Sequence, residues 1–261
     1  MMRSLATAAT GMEAQQTKLD VTSHNIANVS TNGYKKQRAE FADLIYQTAR
    51  APGASAPGGG RTPIGLEVGL GVRVSGVQRI HSEGDMRQTG NQLDVAIEGE
   101  GFYQIQHPNG NVAYTRDGAF KLDNEGRMVT TDGYPMVGDL TVPPDATNVT
   151  IGADGTVTAT VPGTAEPVEV GRIELASFVN PAGLSPEGRN LFLETPASGA
   201  PVTGPPGESG IGTTQQGMLE LSNVQVVEEM VDLISGQRAY EINSRVVRAA
   251  DEMLQQTANL K

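Results

Sequence analysis

The distribution of helix breakers constrains this chain more than anything else in it. All fifteen prolines lie between Pro52 and Pro206, and of 32 glycines only Gly11, Gly33 and Gly236 fall outside residues 51–218. Two breaker-free ends therefore flank a turn-rich middle, and long helices can form only at the ends.

Both ends carry helical periodicity. Leu5, Met12, Leu19 and Ile26 recur every seven residues, with the small or polar Ala9, Gln16 and Ser23 four places after the first three, which predicts a narrow apolar seam. Near the C-terminus, Ser222 with Gln225 reads as a capping box, followed by a second series, Val226, Leu233, Tyr240, Val247 and Leu254. Ala239, Val246, Met253 and Leu260 form a further line one residue earlier, about 100° round the helix. A helix from Ser222 to Leu260 would be roughly 58 Å long at 1.5 Å per residue, more than a compact domain of this size needs. Periodicity alone leaves open whether these seams cover the chain's own core or meet other subunits. Length and the doubled seam favour subunit contacts.

The middle reads as β structure. Asp94–Ile97, Phe102–Ile105 and Val157–Val161 are β-prone runs, and Asn109-Gly110, Asp132-Gly133 and Asp154-Gly155 are hairpin-turn signals at all-β spacing. Residues 47–66, which include Pro52, Gly53, Pro57, Gly58 and Pro63, are too poor in apolar residues for a core and read by composition as a flexible loop. The expected fold class is α+β, with long terminal helices forming a coiled-coil-like pair around a mainly β middle. The expected domains are 1–33 with 219–261, a connector over 34–90 carrying the 47–66 insertion, and a β-rich outer domain over 91–218.

Thirty acidic against nineteen basic residues give a net charge of -11, which argues against a nucleic-acid partner. Most of that acidity sits in residues 51–218. There is no cysteine, so disulfides, thiolate metal sites and Cys nucleophiles are excluded. The start, Met1-Met2-Arg3-Ser4, leads into an Ala/Thr/Gln-rich stretch unlike the apolar core of a signal peptide, so any export is expected to use another route.

Motifs for catalysis are weak. His24, His81 and His107 form no HExxH pattern, and Asp123-Asn124-Glu125-Gly126 would place Lys121 where a calcium loop needs its first carboxylate, so it reads as a hairpin turn. Gly69 and Gly71 begin a GxG, but Val74 occupies the third glycine position. Carboxylate pairs such as Glu98 and Glu100, which would suit a glycosidase, are expected by chance in so acidic a middle. No catalytic residue, metal or cofactor is assigned.

The segment Ser23–Lys35, with Asn25, Ala27, Asn28, Thr31, Gly33, Tyr34 and Lys35, resembles the N-terminal signature of the flagellar rod, hook and hook-associated family. Ser222-Asn223-Val224, Glu228–Val231 and Gln237–Ser244 are similar to the C-terminal end of that family. Gly101-Phe102-Tyr103, Tyr114–Phe120 and Thr131–Tyr134 are similar to its shared β-domain. Phe41–Thr48, the Pro/Gly-rich stretch and Gly69–Val72 look most like the distal rod class, since hook subunits are usually longer.

The resemblance implies a helical homopolymer with the terminal helices lining a tube and the β-domain outside. It also implies proximal rod subunits, hook subunits and surrounding ring proteins as neighbours in the periplasm, with export through the flagellar apparatus and no cleaved signal peptide. It gives the 47–66 insertion a role in packing between subunits to stiffen the rod. Another axial subunit, proximal rod or hook, is the nearest alternative, and a cell-wall hydrolase a remote one.

Overall fold

The computed structural model describes residues 2–53, 63–138, 140–163, 166–208 and 210–259. The fold is α+β: a helix at each end and a mainly β middle. None of its helices is long and apolar enough to cross a membrane, among the described residues. Pro57 and Gly58 of the insertion, and Leu260, lie outside the described residues.

The chain divides into two compact units. The first comprises Met1–Ala27, Gln37–Gln78 and Gln225–Lys261; the second comprises Asn28–Lys36 and Arg79–Val224. Residues 37–78, read above as connector, thus group with the terminal helices.

In the first unit, helix α1 spans Met2–Ala27 and helix α2 spans Val226–Asn259. They pack against each other. The contacts run antiparallel: Lys18 Nζ meets Asp232 Oδ1 at 3.0 Å, while Gly11, earlier in α1, faces Asn243, later in α2. The start of α2 differs from the sequence expectation. The Gln225 carbonyl accepts the first helical bond from the Glu229 amide at 3.1 Å, so the helix begins three residues later than a Ser222 cap implies. The Ser222 hydroxyl instead accepts from the Val224 amide at 3.3 Å, and a Ser closing a local turn mimics a cap signal.

The first unit also contains two β-ribbons. Gln37–Asp43 pairs with Val72–Arg79, and Tyr46–Arg50 pairs antiparallel with Leu66–Gly69, Gln47 opposite Val68. The expected loop over 47–66 is therefore corrected at both ends, where the chain is hairpin strand. Gln47-Thr48-Ala49-Arg50 lacks the apolar alternation that would have announced a strand, and pairing decides its conformation.

The second unit is built on a six-stranded sheet. Its strand order is Ser185–Gly188, Leu191–Leu193, Val112–Thr115, Phe102–Gln106, Leu175–Ser177 and Val202–Gly204, each neighbour antiparallel. Asn148–Ile151, Thr156–Thr160 and Val168–Arg172 form a three-stranded meander. The hairpin signals hold: Gly110, Gly133 and Gly155 all adopt positive φ, 83°, 85° and 80°, as tight reversals demand. Asp123–Gly126 is likewise a turn, its Asp123 Oδ1 accepting from the Glu125 amide at 2.8 Å. Tyr103, fully buried, anchors the core edge-on to Phe120 with ring centroids 5.0 Å apart, and its hydroxyl donates to the Val95 carbonyl at 2.8 Å.

Candidate assembly surfaces and junction

The seam residues of α1, Leu5, Met12, Leu19 and Ile26, are half-buried, and the fully buried positions of the helix are Ala8, Ala14, Thr22 and Asn25. Ala9, Gln16 and Ser23 are exposed. On α2, Leu233, Ala239, Val247 and Leu254 are half-buried, whereas Val226, Tyr240, Val246 and Met253 are exposed. Small residues mark the contact: a Cβ on Gly236 would lie 3.0 Å from Leu19 Cδ2, and one on Gly11 3.0 Å from Asn243 Nδ2. Val227, Val231, Ile234 and Ile242 stand on the outer side of α2 at 75, 62, 48 and 59 % exposure, an apolar surface that nothing among the described residues covers.

Asn25, only 1 % exposed, ties three segments of the first unit together. Its Oδ1 accepts from the Gln37 amide at 2.9 Å, and its Nδ2 donates to the Gln37 carbonyl at 2.8 Å and to Glu229 Oε2 on α2 at 3.1 Å. An Asn is suited to this because its amide offers donor and acceptor side by side, as a strand backbone does. Ala27, which follows at the end of α1, is exposed.

The insertion's described ends leave apolar groups in solvent: Ile64 and Leu66 are 75 and 55 % exposed. Pro52 lies against Gly65, whose Cβ would come within 2.8 Å of the proline Cδ, and Gly53 takes φ 80°. Pro63 is exposed.

The remaining motif residues lie in the second unit. Asn28 and Thr31 close a turn, with the Thr31 amide donating to the Asn28 carbonyl at 3.1 Å and the Thr31 hydroxyl to Asn28 Oδ1 at 3.2 Å. Gly33 adopts φ 66°, and a Cβ there would sit 2.7 Å from the Arg116 carbonyl carbon and 2.8 Å from the Asp117 nitrogen. Only glycine meets both demands. Asn190, itself at φ 59°, reaches across to donate to the Asn32 carbonyl at 3.3 Å.

This leads to a junction where three stretches of chain meet. The Gly33 amide donates to the Glu220 carbonyl at 2.9 Å, the Lys36 amide to Asn223 Oδ1 at 2.6 Å, and the Ile80 amide to the Lys36 carbonyl at 2.8 Å. Asn223 Nδ2 in turn donates to the carbonyls of Ile80 and Ser82 at 2.9 and 3.1 Å. Tyr34 is buried alongside. At the centre Lys35 Nζ pairs with Glu220 Oε1, and Arg116 Nε reaches Glu220 Oε2 at 3.0 Å, all three side chains essentially without solvent. Lys35 also donates to the Ser82 carbonyl, and Arg116 to those of Gly99 and Gly101, so both cations have several acceptors. Burial lowers the Lys35 pKa, opposed by the attraction of Glu220. Lys35, Arg116 and Asn223 are visible in the sequence as parts of motifs. Glu220 is not, although a lone carboxylate between Leu219 and Leu221 is an available signal.

His81 borders this cluster, its ring edge-on to Phe102 and Phe192 at 5.6 and 5.8 Å. Burial, then the charges of Lys35, Arg79 and Arg116, hold its pKa down to about 3. An unfolded chain takes up this proton below about pH 6.5 and the folded one does not until near pH 3, so stability falls as pH falls through that window. The slope from this group is at most about 1.4 kcal/mol per pH unit. His81→Phe, which suits the aromatic neighbours, is expected to flatten the decline in thermal midpoint between pH 6.5 and 4. Thermal unfolding across that range checks it, and an unchanged slope would show that other groups carry the acid response.

Comparison with known proteins follows the same layout. Residues 5–35 match the family model described as flagella basal body rod protein, residues 96–159 that of the flagellar hook protein FlgE/F/G D1 domain, and residues 215–260 that of the flagellar basal body rod FlgEFG protein C-terminal. The flagellar basal-body rod protein FlgG of Agrobacterium fabrum is 49 % identical over 253 residues, 97 % of each chain. FlgG of Borreliella burgdorferi is 48 % identical over 263 residues, covering 100 % of this chain and 99 % of its own, and FlgG of Buchnera aphidicola from Schizaphis graminum 47 % over 260 residues and the whole of both.

Proposed function

We propose, on the premise that this chain belongs to the family of flagellar basal-body rod proteins, that it is a structural subunit self-assembling into the tubular distal rod. The observation that carries the reading is likeness to rod proteins at nearly half identity over the full length. Its work is mechanical: it passes torque toward the hook and catalyses nothing. In the assembled rod α1 and α2 act as a coiled-coil-like pair around the bore, with seam residues Leu5, Met12, Leu19, Ile26, Leu233, Val247 and Leu254 between the helices and Val226, Tyr240, Val246 and Met253 available to neighbouring copies.

The second unit faces outward, toward ring proteins in the periplasm, and the rod's ends meet proximal rod and hook subunits. The chain reaches that place through the flagellar export apparatus. A head-to-tail contact that does not close on itself yields a filament, and the uncovered apolar side chains of α2 supply the driving force. The 47–66 hairpin packs between copies, where its exposed Ile64 and Leu66 are buried and bending is opposed.

Purified protein is expected to polymerise into hollow tubes visible by electron microscopy. Deleting residues 51–65 should leave polymerisation intact and make the tubes curved or flexible. Tubes equally straight after the deletion would reduce the hairpin to a spacer, and a wild-type protein that never polymerises would overturn the rod reading.

A further inference from the structure

The two helices place exposed charge in matching positions on their outer sides. On α1 the inner contact is made at Gly11, and Glu13 and Asp20 follow two and nine residues later, roughly 160° and 180° round the helix. On α2 the inner contact is made at Gly236, and Arg238 and Arg245 follow at the same two and nine residues, again on the side turned away. All four charged side chains are exposed. Glu13, Asp20 and Arg238 have no ion-pair partner among the described residues, and Arg245 has only Glu241, at 3.9 Å with both side chains mostly in solvent.

Each pair is separated by seven residues, about 10.5 Å along the axis. Arg238 and Arg245 interrupt the exposed apolar line of Val227, Val231, Ile234 and Ile242. A second α2 face laid on that line brings its own Arg238 and Arg245 with it, whereas the outer face of α1 offers two carboxylates at the required spacing.

We propose that the outer face of α2 docks on the outer face of α1 of the next copy, with Arg238 against Asp20 and Arg245 against Glu13. The antiparallel register follows because copies in a head-to-tail polymer share one orientation, so α2 of one copy runs against α1 of the next as it does within the chain. Each subunit then shows an arginine-bearing apolar face on one side and a carboxylate-bearing face on the other, which makes growth directional and keeps identical faces apart. This inference rests on the rod-subunit reading and adds the faces and the register.

The test is charge reversal in the full chain, followed by the critical concentration for polymerisation measured by sedimentation. Glu13→Arg with Asp20→Arg, and separately Arg238→Glu with Arg245→Glu, should each raise it at least tenfold while leaving the monomer's thermal midpoint unchanged, since all four positions are in solvent. The variant carrying all four changes should polymerise again near the wild-type concentration. If it does no better than either double variant while wild type polymerises, the facing is wrong and the rod reading stands. If either double variant polymerises like wild type, the charges set no register. If wild type itself does not polymerise, the rod reading fails and the inference fails with it.

Discussion

Glu220→Ala is expected to destabilise the second unit strongly. It leaves the Lys35 ammonium and Arg116 guanidinium facing each other in a space from which solvent is excluded, without the carboxylate both of them address. Removing one partner of a buried ionic group typically costs about 3–5 kcal/mol, because the remaining charge keeps its desolvation penalty and loses its attraction. For a domain of this size that corresponds to a fall of roughly 6–20 °C in thermal midpoint. Calorimetry of the monomer reads it directly. The cost should shrink when the cation is removed as well, so Lys35→Met combined with Glu220→Ala is expected to lose less than the sum of the two single changes. A Glu220→Ala midpoint within 2 °C of wild type would mean that Lys35 is satisfied by the Ser82 carbonyl and Arg116 by those of Gly99 and Gly101.

Gly33→Ala is expected to cost about 2–4 kcal/mol, from two sources that can be separated. The left-handed backbone at φ 66° contributes about 1–2 kcal/mol for any residue with a Cβ. The rest is contact, since the new carbon lies 2.7–2.8 Å from backbone atoms of Arg116 and Asp117, which cannot rotate away as a side chain would. Gly110 and Gly133 share the strained backbone at φ 83° and 85°, with nothing within 4 Å of a Cβ. Gly110→Ala and Gly133→Ala therefore measure the strain alone. If Gly33→Ala is no worse than these, the motif segment moves away from the Arg116 backbone and the junction is softer than its hydrogen bonds imply.

The α+β plan was legible because breakers and seven-residue repeats are unevenly distributed along the chain, and both act locally. Within α1 the burial is less regular than the seven-residue spacing of the seam. Ala8, Ala14, Thr22 and Asn25 are its buried residues while Ala9, Gln16 and Ser23 are exposed, and small or polar residues produce no apolar signal by which to choose between adjacent positions. The start of α2 shifted for a related reason, since a serine that closes its own turn looks like a cap. The strand ends of the insertion were invisible because pairing, and not propensity, makes them strands. The junction was half legible: its residues lay within quoted motifs, but the carboxylate that joins them is far away in sequence from both cations, and one chain gives no sign of such a meeting.

The gathering of three backbone stretches at Lys36, Ile80 to Ser82 and Asn223 has a consequence for exchange between proteins. Three of the four points at which the chain enters or leaves the second unit, next to Lys36, Ile80 and Asn223, lie at one small place on it, as wires leave a device through a single plug. A different β unit, larger or smaller, is compatible with the same terminal helices provided the corresponding ends of its chain can be brought to an equally small place. What must be kept in such a transplant is the socket, Gly33, Lys35, Arg116, Glu220 and Asn223, while the sheets beyond it are free to vary in size and decoration.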